Sequence, residues 1–309
     1  MHDQLSFLAK LPVEIVQDAF EFAAWSDKRT ATVLDRVCRA VHGWMSRPIY
    51  EEVILHDPYS LVTFSEVIRQ APGIPYSPES PLPEHLPELH ARPPSIARDF
   101  AFFRDTVKYL SVIHVNIPFH FVRNIFIVCV GVRVLEIDNP HLPFPPTTMQ
   151  PSELILGGIK PDIFVGQMFR NVTRLWLASA SPAIPRIIEY PPQLEYIAIP
   201  LRVTSGGEKR RTHVEGEACL LTAMALTTVE LIIINIEKDY TYLTTRPQDW
   251  VPPRAEEVWR DILSQIRDSR LLVRVPEEVA KEPELARKQG VSVWDRAIRD
   301  GMRYPGFIL

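Results

Sequence analysis

Short apolar segments recur along residues 107–234, and their regular spacing is the feature that most constrains the fold. Each segment follows the pattern apolar-x-x-apolar-x-apolar, and successive patterns begin 25, 19, 21, 22 and 35 residues apart. The starting positions are Val107, Val132, Pro151, Val172, Leu194 and Val229. Alternating apolar positions predict strands, and a fixed period predicts stacked repeats, since no single repeat buries its apolar face alone. The pattern therefore predicts a solenoid.

The first four steps lie in or next to the period of about 20–29 residues that is typical of leucine-rich repeats. Candidate short helices separate the strands at residues 120–129, 163–169, 183–189 and 217–226, which supplies one helical piece per repeat. The long fifth step contains Ser205–Arg211, which we interpret as a surface insertion. We expect an α/β fold in which residues 107–309 form an irregular leucine-rich-repeat solenoid. The alternative is an ordinary α/β domain whose strands happen to be evenly spaced.

Helices are predicted on both sides of the repeated strands. The C-terminal quarter has an amphipathic stripe from Ala255 to Ile266, a short strand at residues 271–275 and a last helix around Trp294, which is expected to cap the stack. Residues 5–55 are predicted to form a small helical domain. Residues 56–106 connect the two regions with a helix over Ser60–Gln70 and a proline-rich linker from Pro72 to Pro94.

Catalytic and cofactor signatures are missing from the sequence. It contains no GxSxG, GxxxxGK[ST] or GxGxxG motif, so the nucleophile-elbow, P-loop and dinucleotide-binding classes lack their local signal. The spacing of His114 and His120 does not fit a metal-binding helix. Glu136 and Asp138 share a strand face but are read as solvated surface. We expect a non-enzyme without metal or cofactor.

Composition restricts partners and compartment. The formal net charge of -4 and the pI of about 6.2 argue against nucleic-acid binding, which needs a basic surface. The longest apolar stretches fall short of the roughly 20 residues that a membrane-spanning helix needs. Three widely separated cysteines and an N-terminus without a signal-peptide pattern indicate a reducing compartment. We expect a cytoplasmic or nuclear protein.

The N-terminal segment carries the most specific motifs. Leu11-Pro12-Val13-Glu14-Ile15, followed by Val37-Cys38-Arg39 and then Pro48-Ile49-Tyr50, resembles the F-box, a small helical docking domain, over roughly residues 5–55. Residues 24–30 depart from it, since they are polar where many F-boxes carry a Leu-rich stretch. With the repeats and the Trp-containing final helix, the chain looks like the F-box-like proteins that are abundant in mushroom-forming fungi. The alternative is that residues 5–55 only cap the solenoid.

This resemblance implies a substrate-recognition adaptor of a Skp–cullin–F-box ubiquitin ligase. The F-box would dock on the Skp-type linker subunit and through it on a cullin, while the repeats would hold an unknown protein target. The residues that match the family's motif, and so are expected at the linker contact, are Leu11, Pro12, Ile15, Val37, Cys38 and Val41. Some of them must instead form the core of the small domain.

The strand pleat predicts where a target would bind. If the repeat positions face the solenoid core, the residues between them face the concave surface. Those residues are Tyr109, Ser111, Glu136, Arg174, Trp176 and Tyr196. Aromatic and Arg side chains often dominate interface energies. The alternative is that the C-terminal helices or the proline segment cover this face. Two other function classes stay open: a non-ligase interaction scaffold, and a small-molecule-binding or hydrolytic protein with a pocket at the repeat–helix junction.

Overall fold

The computed structural model describes residues 11–69, 99–113, 119–137, 148–157, 167–178, 191–205, 212–215, 223–237, 270–274, 281–289 and 291–301. The fold mixes helices with a mainly parallel sheet, as expected for the α/β class. The chain divides into two compact units. The first comprises residues 1–111 and 120–132, and the second comprises residues 112–119 and 133–309. Within the described residues no helix is long and apolar enough to cross a membrane.

The described part of the first unit begins with three helices: α1 over Val13–Ser26, α2 over Lys28–Leu34 and α3 over Arg39–Tyr50. Helix α1 begins directly after Pro12, whose carbonyl accepts the first helical hydrogen bonds. Asp27 caps α2, because its carboxylate accepts the backbone N–H groups of Arg29 and Thr30 at 3.2 and 3.0 Å. The helices pack around a small apolar core made of Ala24, Ala31, Val41 and Met45, flanked by Phe20, Leu34, Trp44 and Ile49.

The rest of the first unit joins these helices to further elements. They are β1 over Glu52–Leu55, α4 over Pro58–Arg69, α5 over Phe100–Thr106, β2 over Tyr109–Val112 and α6 over Phe119–Val128. Tyr50 at the end of α3 contacts the rings of Phe64, Phe102 and Phe103, with centroid distances of 6.4, 5.7 and 5.7 Å.

This aromatic cluster explains why the units differ from the expected domains. Residues 5–55 do not form a compact unit separate from residues 56–106, because Tyr50 packs on both α4 and α5. The helix predicted over Ser60–Gln70 is confirmed as α4. The proline-rich segment, Pro72–Pro94, lies outside the described residues.

Gly131, in the turn after α6, lies against the C-terminal part of α5. A Cβ atom here would lie 1.9 Å from the Arg104 carbonyl oxygen, so backbone would have to move. We expect Gly131→Ala to lower the free energy of unfolding by about 1–3 kcal/mol, measured by chemical denaturation. The control is Gly43→Ala at an exposed position of α3, where no described atom lies within 4 Å of the added Cβ and a gain of about 0.5–1 kcal/mol is expected. Equal effects of the two substitutions would contradict this account.

The second unit contains the repeated strands. They are β3 over Val134–Ile137, β4 over Glu153–Leu156, β5 over Arg174–Leu177, β6 over Tyr196–Ser205, β7 over Thr212–Glu215, β8 over Leu231–Glu237 and β9 over Leu271–Arg274. The order β3-β4-β5-β6-β8-β9 is parallel throughout, and β7 pairs antiparallel with β6. The predicted strands at residues 132–137, 151–156, 172–177, 194–199, 229–234 and 271–275 are confirmed.

Strand register follows the repeat pattern. Leu135 pairs with Leu154, Leu154 with Leu175, and Leu175 with Ile197, so the second apolar position of each pattern forms one buried ladder. The residue before a strand also bonds in the same way in successive repeats. The backbone N–H of Thr173, before β5, donates to the carbonyl oxygen of Ser152, and that of Glu195, before β6, donates to the carbonyl oxygen of Thr173. The pattern therefore sets both the strands and their alignment.

Between the strands the structure describes less. A 3-10 turn at Gln167–Phe169 falls within the expected helical piece at residues 163–169, and residues 183–189 and the stripe from Ala255 to Ile266 lie outside the described residues. The predicted insertion is flanked by the β6–β7 hairpin, in which Ser205 pairs with Thr212. The described residues of this unit end with helices α7 over Glu282–Lys288 and α8 over Val293–Gly301. Helix α8 confirms the helix expected around Trp294.

Candidate protein-interaction surfaces

Helix α1 exposes an apolar stripe. Ile15, Phe22 and Trp25 are 52%, 75% and 49% exposed. Their spacing of seven and three residues places them on one side of the helix, while Phe20 and Ala24 on the other side pack into the core. We call these three residues the α1 stripe. Monomeric soluble proteins rarely expose large contiguous apolar patches, so this group is a candidate interaction surface.

The residues expected at the linker contact fall into two classes. Pro12, Ile15, Val37 and Cys38 are exposed and Leu11 is half-buried, so these five are accessible. They lie at the start of α1 and in the turn that leads into α3. Val41 is a correction, because it is 4% exposed and packs in the core of the three helices. It can stabilise the domain but cannot contact a partner.

The α1 stripe adds two residues that the motif did not identify. Phe22 and Trp25 lie outside the Leu-Pro-x-Glu-Ile segment, and Trp25 falls within residues 24–30, which depart from the F-box pattern. The spacing was visible in the sequence, because Trp25 follows Phe22 by three residues and Phe22 follows Ile15 by seven. That spacing does not distinguish an exposed apolar face from a core face, since both give the same pattern.

The expected concave strip is one face of the sheet in the second unit, but it is covered. Glu136, Trp176 and Ala198 lie in one register row, and Arg174 and Tyr196 lie in the row beside it. Helix α8 places Trp294 on this face, where its ring contacts Trp176 at 5.4 Å and 81° and Tyr196 at 6.1 Å and 50°. The C-terminal helices therefore cover the face, which is the alternative that the sequence left open.

The target-binding prediction is wrong for several of its residues. Trp176 is fully buried beneath Trp294, and Tyr196 is half-buried against the same ring. Glu136 is buried and accepts a hydrogen bond from Arg287 of α7 at 3.2 Å. Arg174 is half-buried and lies 5.1 Å from the Tyr196 ring centroid, so it stabilises the packed face.

Tyr109 and Ser111 belong to β2 in the first unit, where Ser111 is fully buried and Tyr109 half-buried. Ser111 is therefore also unavailable to a target.

Glu153 gives the covered face a pH response. Burial raises the pKa of its carboxyl group to about 7, while the Trp294 indole and the Arg174 guanidinium act in the opposite direction. The ordinary pKa is 4.5, so between about pH 4.5 and 7 the folded chain holds a proton that the unfolded chain has lost. Stability must therefore fall as pH rises across this interval, by up to about 3 kcal/mol.

We expect Glu153→Gln to remove this part of the pH dependence, because the neutral amide has no proton to lose. The measurement is urea denaturation at pH 5, 6, 7 and 8, with the exposed Glu195→Gln as the control. The variant should gain stability relative to wild type as pH rises. A parallel pH profile for wild type and Glu153→Gln would contradict the assignment.

The described side chains include possible metal ligands and free cysteine thiols. Among them no group of three or more His, Cys, Asp or Glu side chains is placed to hold a metal ion. Burial raises the pKa of the Cys129 thiol, which keeps it in the unreactive thiol form. His114 and Asp138, considered above as chemical groups, lie outside the described residues.

Comparisons with known proteins give no family assignment. No protein-family model matches the chain, and no curated protein or solved structure matches it either. The case for a function therefore depends on the residues and surfaces described above.

Proposed function

We propose that this chain is a substrate-recognition adaptor of a Skp–cullin–F-box ubiquitin ligase, in which the N-terminal helices dock on the Skp-type linker subunit. The observation that carries the proposal is the α1 stripe: Ile15, Phe22 and Trp25 are exposed on a helix whose other side is packed. Pro12 and Val37, two exposed residues of the motif, lie in the same helical domain and add to its accessible surface.

The stripe has the chemistry of a docking surface. Aromatic side chains give the largest contributions at protein interfaces, and two of the three stripe residues are aromatic. The three helices also have a core that holds them together without the stripe, built around Ala31, Val41 and Met45. A partner can therefore cover the stripe while the domain keeps its fold.

The second unit supplies the proposed target-holding part as an irregular leucine-rich-repeat solenoid. Its support is the parallel order of β3 to β6, whose strands begin at residues 134, 153, 174 and 196, together with the shared register of their apolar positions. In this proposal the chain has no catalytic residue. It acts by positioning a target, and the chemistry belongs to the other subunits.

Co-purification tests the assignment. We expect the tagged full chain to recover a Skp-type linker subunit and a cullin from a fungal extract, and Leu11→Asp combined with Pro12→Ala to recover neither. A far-ultraviolet circular dichroism spectrum of each protein checks that it is folded. Recovery of the linker without a cullin would favour the non-ligase scaffold. Recovery of neither by folded wild type would contradict the adaptor proposal and favour the alternative in which these helices only cap the repeats.

A further inference from the structure

Two buried polar side chains near the carboxyl ends of β8 and β9 leave hydrogen-bonding groups unused. Asn235 and Arg274 are register partners on these parallel strands, so both side chains leave the sheet on the same face. Asn235 is 0% exposed and Arg274 is 3% exposed. Within the described part of the chain, Nδ2 and Oδ1 of Asn235 and Nε and Nη1 of Arg274 have no hydrogen-bond partner.

Neighbouring charges satisfy only part of the guanidinium group. Nη2 of Arg274 donates to Oε2 of Glu282, a buried residue at the start of α7. The same oxygen accepts from Nε of Arg296 at 3.2 Å. A guanidinium group has five N–H donors, so Nε–H and both Nη1–H groups of Arg274 remain. With the amide of Asn235, the unpaired donors outnumber the one unpaired acceptor, Asn235 Oδ1.

This excess of donors determines what fits. Buried polar groups in native proteins are paired with protein atoms, ordered water or a ligand, because leaving them unpaired is costly. Hydrogen bonds from a guanidinium group are strongest when the acceptor is an anion.

We propose that Asn235 and Arg274 form a binding site for a small oxyanion, either a carboxylate or inorganic phosphate. Nη1–H of Arg274 and the Nδ2–H group of Asn235 donate to the oxygens of the anion. Glu282 holds the guanidinium group in place through Nη2. This site lies in the second unit and is independent of the proposed docking of the N-terminal helices.

The test uses the full chain with sodium phosphate or sodium acetate against sodium chloride at equal ionic strength. At least one oxyanion should raise the midpoint of thermal unfolding, because a ligand that binds only the folded state stabilises it. The phosphate and acetate arms distinguish the two sources of the shared chemistry. Isothermal titration then gives the dissociation constant of the anion that produces the shift.

Three variants decide whether the shift comes from this site. Asn235→Leu removes the amide, and Arg274→Lys keeps a positive charge for Glu282 but removes the Nε and Nη1 donors. Each should weaken anion binding about tenfold or more, since each loses a charge-assisted or buried hydrogen bond. Exposed Arg170→Lys is the matched control and should bind as wild type does.

Two results would overturn the proposal. One is that neither anion shifts the unfolding midpoint of wild type, which would leave water as the partner of these groups. The other is that folded Asn235→Leu keeps the full shift. If Arg274→Lys does not fold, Asn235→Leu alone decides.

Discussion

Replacing Trp294 by alanine is expected to lower the free energy of unfolding by about 3–5 kcal/mol, the largest effect on stability of any substitution considered for this protein. The side chain is 1% exposed, and its ring packs on both Trp176 and Tyr196. Removing it leaves a cavity between α8 and the sheet. It also loses the edge-to-face contact with Trp176, and such pairs contribute beyond the apolar area they bury.

The matched control is Trp25→Ala, the same substitution at an exposed tryptophan of the first unit. It should change stability by less than about 1 kcal/mol, since surface substitutions away from packed features have small effects. Both variants are measured by urea denaturation, and a fitted slope equal to that of wild type checks two-state behaviour. If Trp294→Ala lowers the free energy of unfolding by less than about 1 kcal/mol, α8 does not cover the sheet face as described.

Serine substitutions in the α1 stripe are expected to have the largest effect on binding. Phe22→Ser and Trp25→Ser each remove an exposed ring that is not part of the helical core. The fold should therefore survive. Central aromatic residues at interfaces often contribute 2 kcal/mol or more. Each substitution should therefore weaken binding of the Skp-type linker by about 30-fold or more.

Tyr59→Ser supplies the control for the stripe variants. Tyr59 is 54% exposed, but it lies on α4 and is not part of the α1 stripe. Its loss should leave the linker's dissociation constant within a few-fold of wild type. Equal weakening by Tyr59→Ser and Phe22→Ser would show that the binding depends on general surface apolarity and not on the stripe.

The strands of the second unit were predictable because each carries its own local signal. Leu154, Leu175 and Ile197 occupy the same place in successive patterns, and a parallel sheet aligns equal places in register. The amphipathic segment of α4 was predictable for the same reason, because the spacing of its apolar residues is a local signal within the helix.

The cover over the sheet was not predictable from the pattern. Trp176 and Trp294 are more than a hundred residues apart, and nothing local to either residue shows that they meet. Strand alternation tells which residues share a face but not what lies on that face. Both faces of a parallel sheet are usually covered, and that general rule was the only signal that favoured a covered strip.

The N-terminal contact residues show a second limit. Val37 and Val41 are four residues apart in the same motif, yet Val37 is exposed and Val41 is buried. A motif records both the residues that hold a small domain together and those that contact a partner. Only packing separates the two, and here the core of the three helices includes Val41 but not Val37.

Direct assembly with purified subunits tests the central claim most closely. The full chain is mixed with a purified fungal Skp-type linker, alone and with the N-terminal part of a cullin, and the mass of each complex is measured by size-exclusion chromatography with light scattering. The account predicts a one-to-one complex with the linker that recruits the cullin, that is lost in the Phe22→Ser/Trp25→Ser double variant and that persists in Tyr59→Ser. A folded wild-type chain that elutes alone at micromolar linker concentrations would contradict it.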